Sequence, residues 1–161
     1  MREKNIKLFL TDCDGCLTDG GMYYTESGDE FKKFNTLDGM GFQMLREQGI
    51  LTGIITGEET KIVERRAAKL KMDFLRQGVK DKLSVVREIC NQNHIELSEV
   101  AYVGDDINDY ETIQAVGFGC SVSNAVDKVK SVSRYVSKKS GGKGAVREII
   151  DVILESMGNE K

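Results

Sequence analysis

The sequence predicts an α/β fold, a doubly wound parallel sheet covered by helices on both faces. Three observations carry this expectation. Short apolar runs alternate with stretches of helical periodicity along nearly the whole chain. The runs, such as Ile6-Lys7-Leu8-Phe9-Leu10 and Ile50-Leu51-Thr52-Gly53-Ile54-Ile55, are near-continuous rather than alternating, as in strands buried on both faces. Several end abruptly in hydroxyl or acidic residues, and sheets of this class bind ligands at the carboxyl ends of their strands.

The 161 residues suit a single domain spanning 1–161, with room for a proper core. A net charge of −3 gives no support to a nucleic-acid or acidic-membrane partner. No apolar run approaches the roughly 20 residues of a membrane span. Residues 1–5 lack the apolar region of a signal peptide, so a cytoplasmic location is expected. Of the 4 cysteines, Cys13 and Cys16 have Cys-x-x-Cys spacing, but no second pair or histidine cluster completes a metal or redox site. Reduced thiols are the expectation. With no proline, turns must rest on the 17 glycines and on Asn and Asp.

The first strand, residues 6–11, runs into Asp12 and Asp14, two carboxylates one residue apart, and then Gly15. On a continuing strand they would share a face. At a strand's end they meet over one small volume and repel unless a cation lies between them. Residues 22–34 read as a β-hairpin around Ser27-Gly28-Asp29. Its aromatics, Tyr23, Tyr24, Phe31 and Phe34, cannot be buried by a lone hairpin, so they pack on the parent domain or meet another subunit. Asp38-Gly39 opens a helix that Gly49 caps. A second buried strand over 50–57 is followed by a helix over 58–70 and a short strand over 73–75. A helix over 82–93 precedes the strand over 99–106, which again ends in acids. Helices over 108–115, 125–129 and 145–154 and strands over 118–120 and 135–136 complete the chain.

Three strand ends therefore converge on Asp12 and Asp14, on Thr56-Gly57, and on Asp105-Asp106, with Lys82 at a helix start. Those are the ingredients for handling a phosphoryl group. Attack on phosphorus by a carboxylate is opposed by charge unless that charge is neutralised. Oxygen-only ligands select magnesium. One carboxylate can be the nucleophile, and another, two residues on, can move the proton.

The run from Leu10 to Gly20, with Ile55-Thr56-Gly57, Lys82 and Gly104-Asp105-Asp106-Ile107-Asn108-Asp109, resembles the haloacid dehalogenase superfamily of phosphotransferases, all four motifs in order. The resemblance implies a Rossmann-like sheet of that superfamily and a phosphoric monoester hydrolase. Asp12 would be the nucleophile forming an aspartyl-phosphate. Asp14 would be the general acid/base, with its carbonyl on the metal. Thr56 and Lys82 would hold the phosphoryl oxygens. Asp105 would complete a Mg2+ site with Asp12 and Asp14, and Asp106 and Asp109 would stand behind it. Lys80 is a rival to Lys82, which is preferred because the motif lysine of relatives opens the following helix.

The gaps between motifs leave no room for a cap domain, so the substrate or a neighbouring subunit must close the site. The motif-one run, Phe34-Asn35-Thr36-Leu37-Asp38-Gly39 and the late Gly141-Gly142-Lys143-Gly144 together resemble the capless, tetrameric sugar-acid phosphatases. That implies a homotetramer built on the hairpin flap and a phosphorylated sugar acid as substrate, contacted by Thr36, Gly57, Glu58, Arg66, Lys69 and Asn108. The group's octulosonate 8-phosphate enzymes typically carry arginine where this chain has Glu58, and a small or uncharged residue where it has Lys69. A helix over 58–70 would put both on one face, eleven residues being about three turns. The paired change resembles the phosphatases of 2-keto-3-deoxynononate 9-phosphate or N-acetylneuraminate 9-phosphate, with sialic acid or nononate biosynthesis as the setting. An acid can accept hydrogen bonds from a sugar hydroxyl or amide, and a cation can meet the substrate carboxylate. Leu37, where octulosonate enzymes often have arginine, points the same way. The alternatives are 3-deoxy-manno-octulosonate 8-phosphate phosphatase and, in another class, a non-catalytic oligomerisation module. The intact Asp12, Asp14, Thr56, Lys82 and Asp105 argue against the latter.

Overall fold

A computed structural model describes residues 5–158. After β1 (Leu8–Thr11) comes a two-stranded hairpin, β2 (Tyr23–Tyr24) and β3 (Glu30–Phe31), and then α1 (Thr36–Glu47). β4 (Leu51–Ile55), α2 (Lys61–Lys69), β5 (Phe74–Arg76), α3 (Lys82–Asn93) and β6 (Val100–Gly104) follow. The chain continues through α4 (Tyr110–Ala115), β7 (Phe118–Ser121), α5 (Asp127–Lys130), β8 (Tyr135–Val136) and α6 (Ala145–Gly158). The main sheet has six parallel strands in the order β5-β4-β1-β6-β7-β8. The doubly wound expectation is met, with β1 at the centre where the strand order reverses direction.

Burial explains the centre. Leu8, Phe9 and Leu10 of β1 and Val100, Ala101, Tyr102 and Val103 of β6 are fully buried. Residues that face both sides of a sheet can all be apolar only if both faces are covered. On one face Phe9 meets the edge of Phe42 from α1, with ring centroids 5.8 Å apart and planes at 75°. α6 packs beside α1 and buries Ile149, Ile150 and Ile153. Each such side chain contributes on the order of 1.5–3 kcal/mol of hydrophobic stabilisation.

Helix starts differ from expectation in four places: α4 and α5 each begin two residues later than expected, at Tyr110 and Asp127, and at α1 and α2 capping is the reason. α1 begins at Thr36 rather than Asp38, because Asn35 caps it by accepting from the Leu37 N–H at 2.9 Å. α2 begins at Lys61 rather than Glu58, because Thr60 is the cap and accepts from the Val63 N–H at 3.3 Å. Glu58 therefore lies in the loop before the helix. The hairpin is present, but each strand is two residues long. Tyr23, Tyr24 and Phe31 are exposed, whereas Phe34 lies under the Arg66 guanidinium, 5.2 Å from ring to charge.

Moving the α1 start places Asp38 in its first turn and inside the protein. Its Oδ1 accepts from the Arg147 N–H at 2.9 Å, and its buried Oδ2 has no hydrogen-bond partner among the described residues. Burial pushes its pKa up to about 6, against the opposing pull of that hydrogen bond and of nearby Arg66 and Arg147. A folded-state pKa above the unfolded value of about 3.9 means that stability is lost as pH rises through the folded pKa, by about 3 kcal/mol in all. Asp38→Asn should remove that term. In urea titrations the variant is expected to gain on the wild type between about pH 4 and about pH 7.5, by roughly 2–3 kcal/mol. A constant difference across that range would contradict the assignment.

Candidate active site

Strand register brings the polar strand ends together. Thr11 pairs with both Ile54 and Val103, so Asp12, Thr56 and Asp105 leave the sheet along one rim. The Asp12 N–H donates to the Val103 carbonyl at 2.9 Å, and the Thr56 N–H to the Arg76 carbonyl at 2.9 Å. The chain then turns through Gly15 at φ +85°, where an added Cβ would lie 2.0 Å from Asp105 Oδ2. Only glycine combines that backbone angle with so close an approach.

Asp12 is buried and held on one oxygen. Its Oδ1 accepts from the Cys13 N–H at 2.7 Å and lies 3.1 Å from Lys82 Nζ. Lys82 opens α3 behind the cap Asp81 and also donates to Asp109 Oδ1 at 2.7 Å. Asp109 is saturated. Its Oδ1 takes a second bond from the Tyr102 hydroxyl at 2.6 Å, and its Oδ2 accepts from the Asp105 and Asp106 N–H groups at 2.9 and 3.2 Å. Lys80 is 2 residues away; both lysines line a neighbouring depression, and it is Lys82 that lies in direct contact with Asp12.

Electrostatically the cluster is short of positive charge. Burial, with the charges of Asp109 and Asp105 added, pushes the Asp12 pKa well up, and Lys82 only partly opposes this. Burial and Asp109 push Asp105 up to about 6. For Lys82 burial pulls the pKa down, but Asp12 and Asp109 outweigh it and the ammonium is held above its usual value. Carboxylate oxygens of Asp12, Asp105 and Asp109 all lie within 4.8 Å of one another. An all-oxygen donor set of this spacing fits magnesium. Because four donors already occupy Asp109, the carboxylate oxygens of this group left to serve a metal are those of Asp12 and Asp105. Asp109 stands behind them as the anchor of Lys82, and Asp106 caps the turn that carries it by accepting from the Ile107 N–H at 2.7 Å.

Of the residues singled out from sequence, Asp12, Asp14, Thr56, Gly57, Glu58, Asp105, Asp106 and Asn108 line one cleft of about 290 Å³. Thr36, Arg66 and Lys69 do not join them and line a separate depression of about 540 Å³. The pairing of Glu58 with Lys69 on one helix face is corrected. The Thr60 cap leaves Glu58 outside α2, so helical periodicity does not relate the two residues.

Three participants were missed from sequence. Tyr102 looked like one more buried strand residue. Asn124 donates to the Gly15 carbonyl at 3.0 Å and accepts from the Gly141 N–H at 2.7 Å, which fastens the glycine-rich segment to the loop carrying Asp14. A Cβ at Gly141 would lie 1.9 Å from the Gly15 carbonyl oxygen, so this contact is backbone against backbone. The third is Lys32, just beyond β3. Its Nζ donates to Asp14 Oδ1 at 2.7 Å and to Glu58 Oε2 at 3.1 Å. The sequence carries no signal for this contact, since Phe31 is exposed and Lys32 turned inward only once the chain is folded. Cys13, Cys16 and Cys90 are free, buried thiols.

Comparison with known proteins agrees with this geometry. The family model for haloacid dehalogenase-like hydrolases matches residues 65–150. The chain is 38% identical over 157 residues to the 3-deoxy-D-manno-octulosonate 8-phosphate phosphatase KdsC of Escherichia coli K12, covering 98% of this chain and 84% of that protein. The corresponding phosphatase of Moraxella catarrhalis, solved with magnesium, phosphate and the KDO molecule, superposes with a TM-score of 0.95 at 42% identity, covering 98% of this chain and 91% of that one. The cobalt-bound enzyme of Haemophilus influenzae gives a TM-score of 0.93 at 34% identity, covering 98% and 92%. The chain belongs to the haloacid dehalogenase-like hydrolases, as a phosphatase of that family.

Proposed function

We propose that the chain hydrolyses the phosphate monoester of a 3-deoxy-2-keto sugar acid through an aspartyl-phosphate on Asp12. The observation that carries this is the placement of Asp12. One oxygen is clamped by the Cys13 N–H and Lys82, and the residue lines the cleft beside Asp14 and Thr56. The Asp12 carboxylate attacks phosphorus as the bond from phosphorus to the sugar oxygen breaks. Asp14 gives its proton to the departing alkoxide and then takes one from the water that cleaves the acyl phosphate. Thr56 and Lys82 hold the phosphoryl oxygens. Magnesium on Asp12, Asp105 and the Asp14 carbonyl supplies the neutralisation that lets one anion approach another.

For the substrate, Glu58 at the cleft favours the nine-carbon acids, 2-keto-3-deoxynononate 9-phosphate or its N-acetylneuraminate analogue, because its carboxylate can accept from the hydroxyl or amide of the longer chain. The alternative is the eight-carbon octulosonate 8-phosphate, on which the relatives named above act. A homotetramer in the cytoplasm completes the reading. Tyr23, Tyr24 and Phe31 of the hairpin are exposed, and a cleft this small leaves most of a sugar acid uncovered. In that assembly Thr36, Arg66 and Lys69, which do not line their own cleft, contact a substrate bound in the neighbouring subunit. The deciding experiment is steady-state kcat/KM on both phosphorylated acids with magnesium, beside a solution mass. Preference for the nine-carbon acid is expected. A clear preference for the eight-carbon acid would overturn the nine-carbon assignment, and turnover of neither would overturn the sugar-acid reading.

A further inference from the structure

We propose that Lys32 is a positioning residue for the acid/base step, delivered by the hairpin to hold the Asp14 and Glu58 carboxylates in register over the cleft. The inference rests on the phosphatase reading above. Four features of the geometry point to it.

Lys32 lies just past β3, outside every motif of the family, and its side chain is only 5% exposed. A lysine on a short surface hairpin ordinarily extends its ammonium into water. This one turns inward to a set of acids: Asp14 at 2.7 Å, Glu58 at 3.1 Å and Glu30 at 3.6 Å. A desolvated ammonium is retained only where such partners replace its hydration.

Those acids come from separate parts of the chain. Asp14 follows β1, Glu58 follows β4, and Glu30 belongs to the hairpin. Lys32 thus joins three segments through one nitrogen. Without it, Asp14 and Glu58 would face each other across the cleft as like charges and swing apart. For Asp14 orientation is one requirement of its task, since a proton donor must lie within hydrogen-bond reach of the leaving oxygen.

The hairpin exposes Tyr23, Tyr24 and Phe31 outward while Lys32 points inward. Its apolar face and its charged contact with the site therefore belong to one short element. Seating the hairpin seats Lys32, and seating Lys32 aims Asp14.

The test separates proton delivery from every other loss. Substituted phenyl phosphates share shape and differ in leaving-group pKa, and kcat/KM reports the step in which the leaving group departs. p-Nitrophenolate leaves with little need of a proton, whereas phenolate and poorer leaving groups need one. Lys32→Met, which keeps the stem and removes the charge, should lower kcat/KM for unsubstituted phenyl phosphate by roughly 10-fold or more and for p-nitrophenyl phosphate by less than about 3-fold. The dependence on leaving-group pKa steepens. Lys32→Arg, which keeps a cation, should restore most of the wild-type slope. A parallel drop across the series would make Lys32 a structural residue, and an unchanged series would make it a bystander. Either result overturns the proposal while leaving the phosphatase reading intact. Failure of the wild-type chain to hydrolyse any member of the series would instead remove the reading on which the proposal stands.

Discussion

Replacing Asp12 by Asn is expected to lower kcat/KM by at least roughly 10⁴-fold, the scale on which enzymes lose activity with their nucleophile. The change is nearly isosteric. Asn keeps an oxygen to accept from the Cys13 N–H, and Lys82 keeps its bond to Asp109 at 2.7 Å. The fold should therefore survive. The sign of the stability effect is itself a prediction. Burial and the neighbouring acids push the pKa of Asp12 well up, so ionised Asp12 costs folding free energy at neutral pH. Without metal, Asp12→Asn should be at least as stable as the wild type in urea titrations. A variant that is both inactive and markedly destabilised would mean that Asp12 is a structural residue.

Lys82→Met should be damaging in two ways. Lys82 is the buried cation between Asp12 and Asp109, and its side chain is fully buried. Removing it leaves buried carboxylates facing one another, at a cost of about 3–5 kcal/mol for a broken buried pair. Activity should fall by about 10²–10³-fold, the usual loss when a charge-stabilising donor is removed from the transition state. The stability loss should shrink in acid, where protonation relieves the repulsion. Adding Asp109→Asn to Lys82→Met should recover part of the stability and none of the activity. Urea titrations and steady-state kinetics on the single and double variants read both effects. A Lys82→Met protein with near-normal turnover would contradict its role at the phosphoryl group.

The parallel sheet and the four motifs were legible because each depends on local sequence. Apolar runs mark buried strands, and Asp12, Thr56 and Asp105 announce themselves by following those runs directly. Sheet register then does the rest, since strands that end level place their next residues on one rim. What was not legible depended on caps and on long-range contacts. The run around Glu58 has helical composition, but the hydroxyl of Thr60 stops the helix short of it, and the argument that joined Glu58 to Lys69 ends there. Lys32 reads as one charge in a charged hairpin until the fold carries it to Asp14. Tyr102 reads as core until its hydroxyl is seen on Asp109. A buried tyrosine needs a partner for that hydroxyl, which is a hint in the sequence, but no pattern of spacing names the partner.

The aspartyl-phosphate can be caught directly. Enzyme mixed with a radiolabelled phosphate monoester and magnesium, quenched in acid within the first turnover and digested, should yield one labelled peptide, the one containing Asp12. That label should be released by hydroxylamine, as an acyl phosphate is, and should be missing from Asp12→Asn. Turnover with no label on the protein at any quench time, or label on a peptide without Asp12, would contradict the nucleophile assigned here.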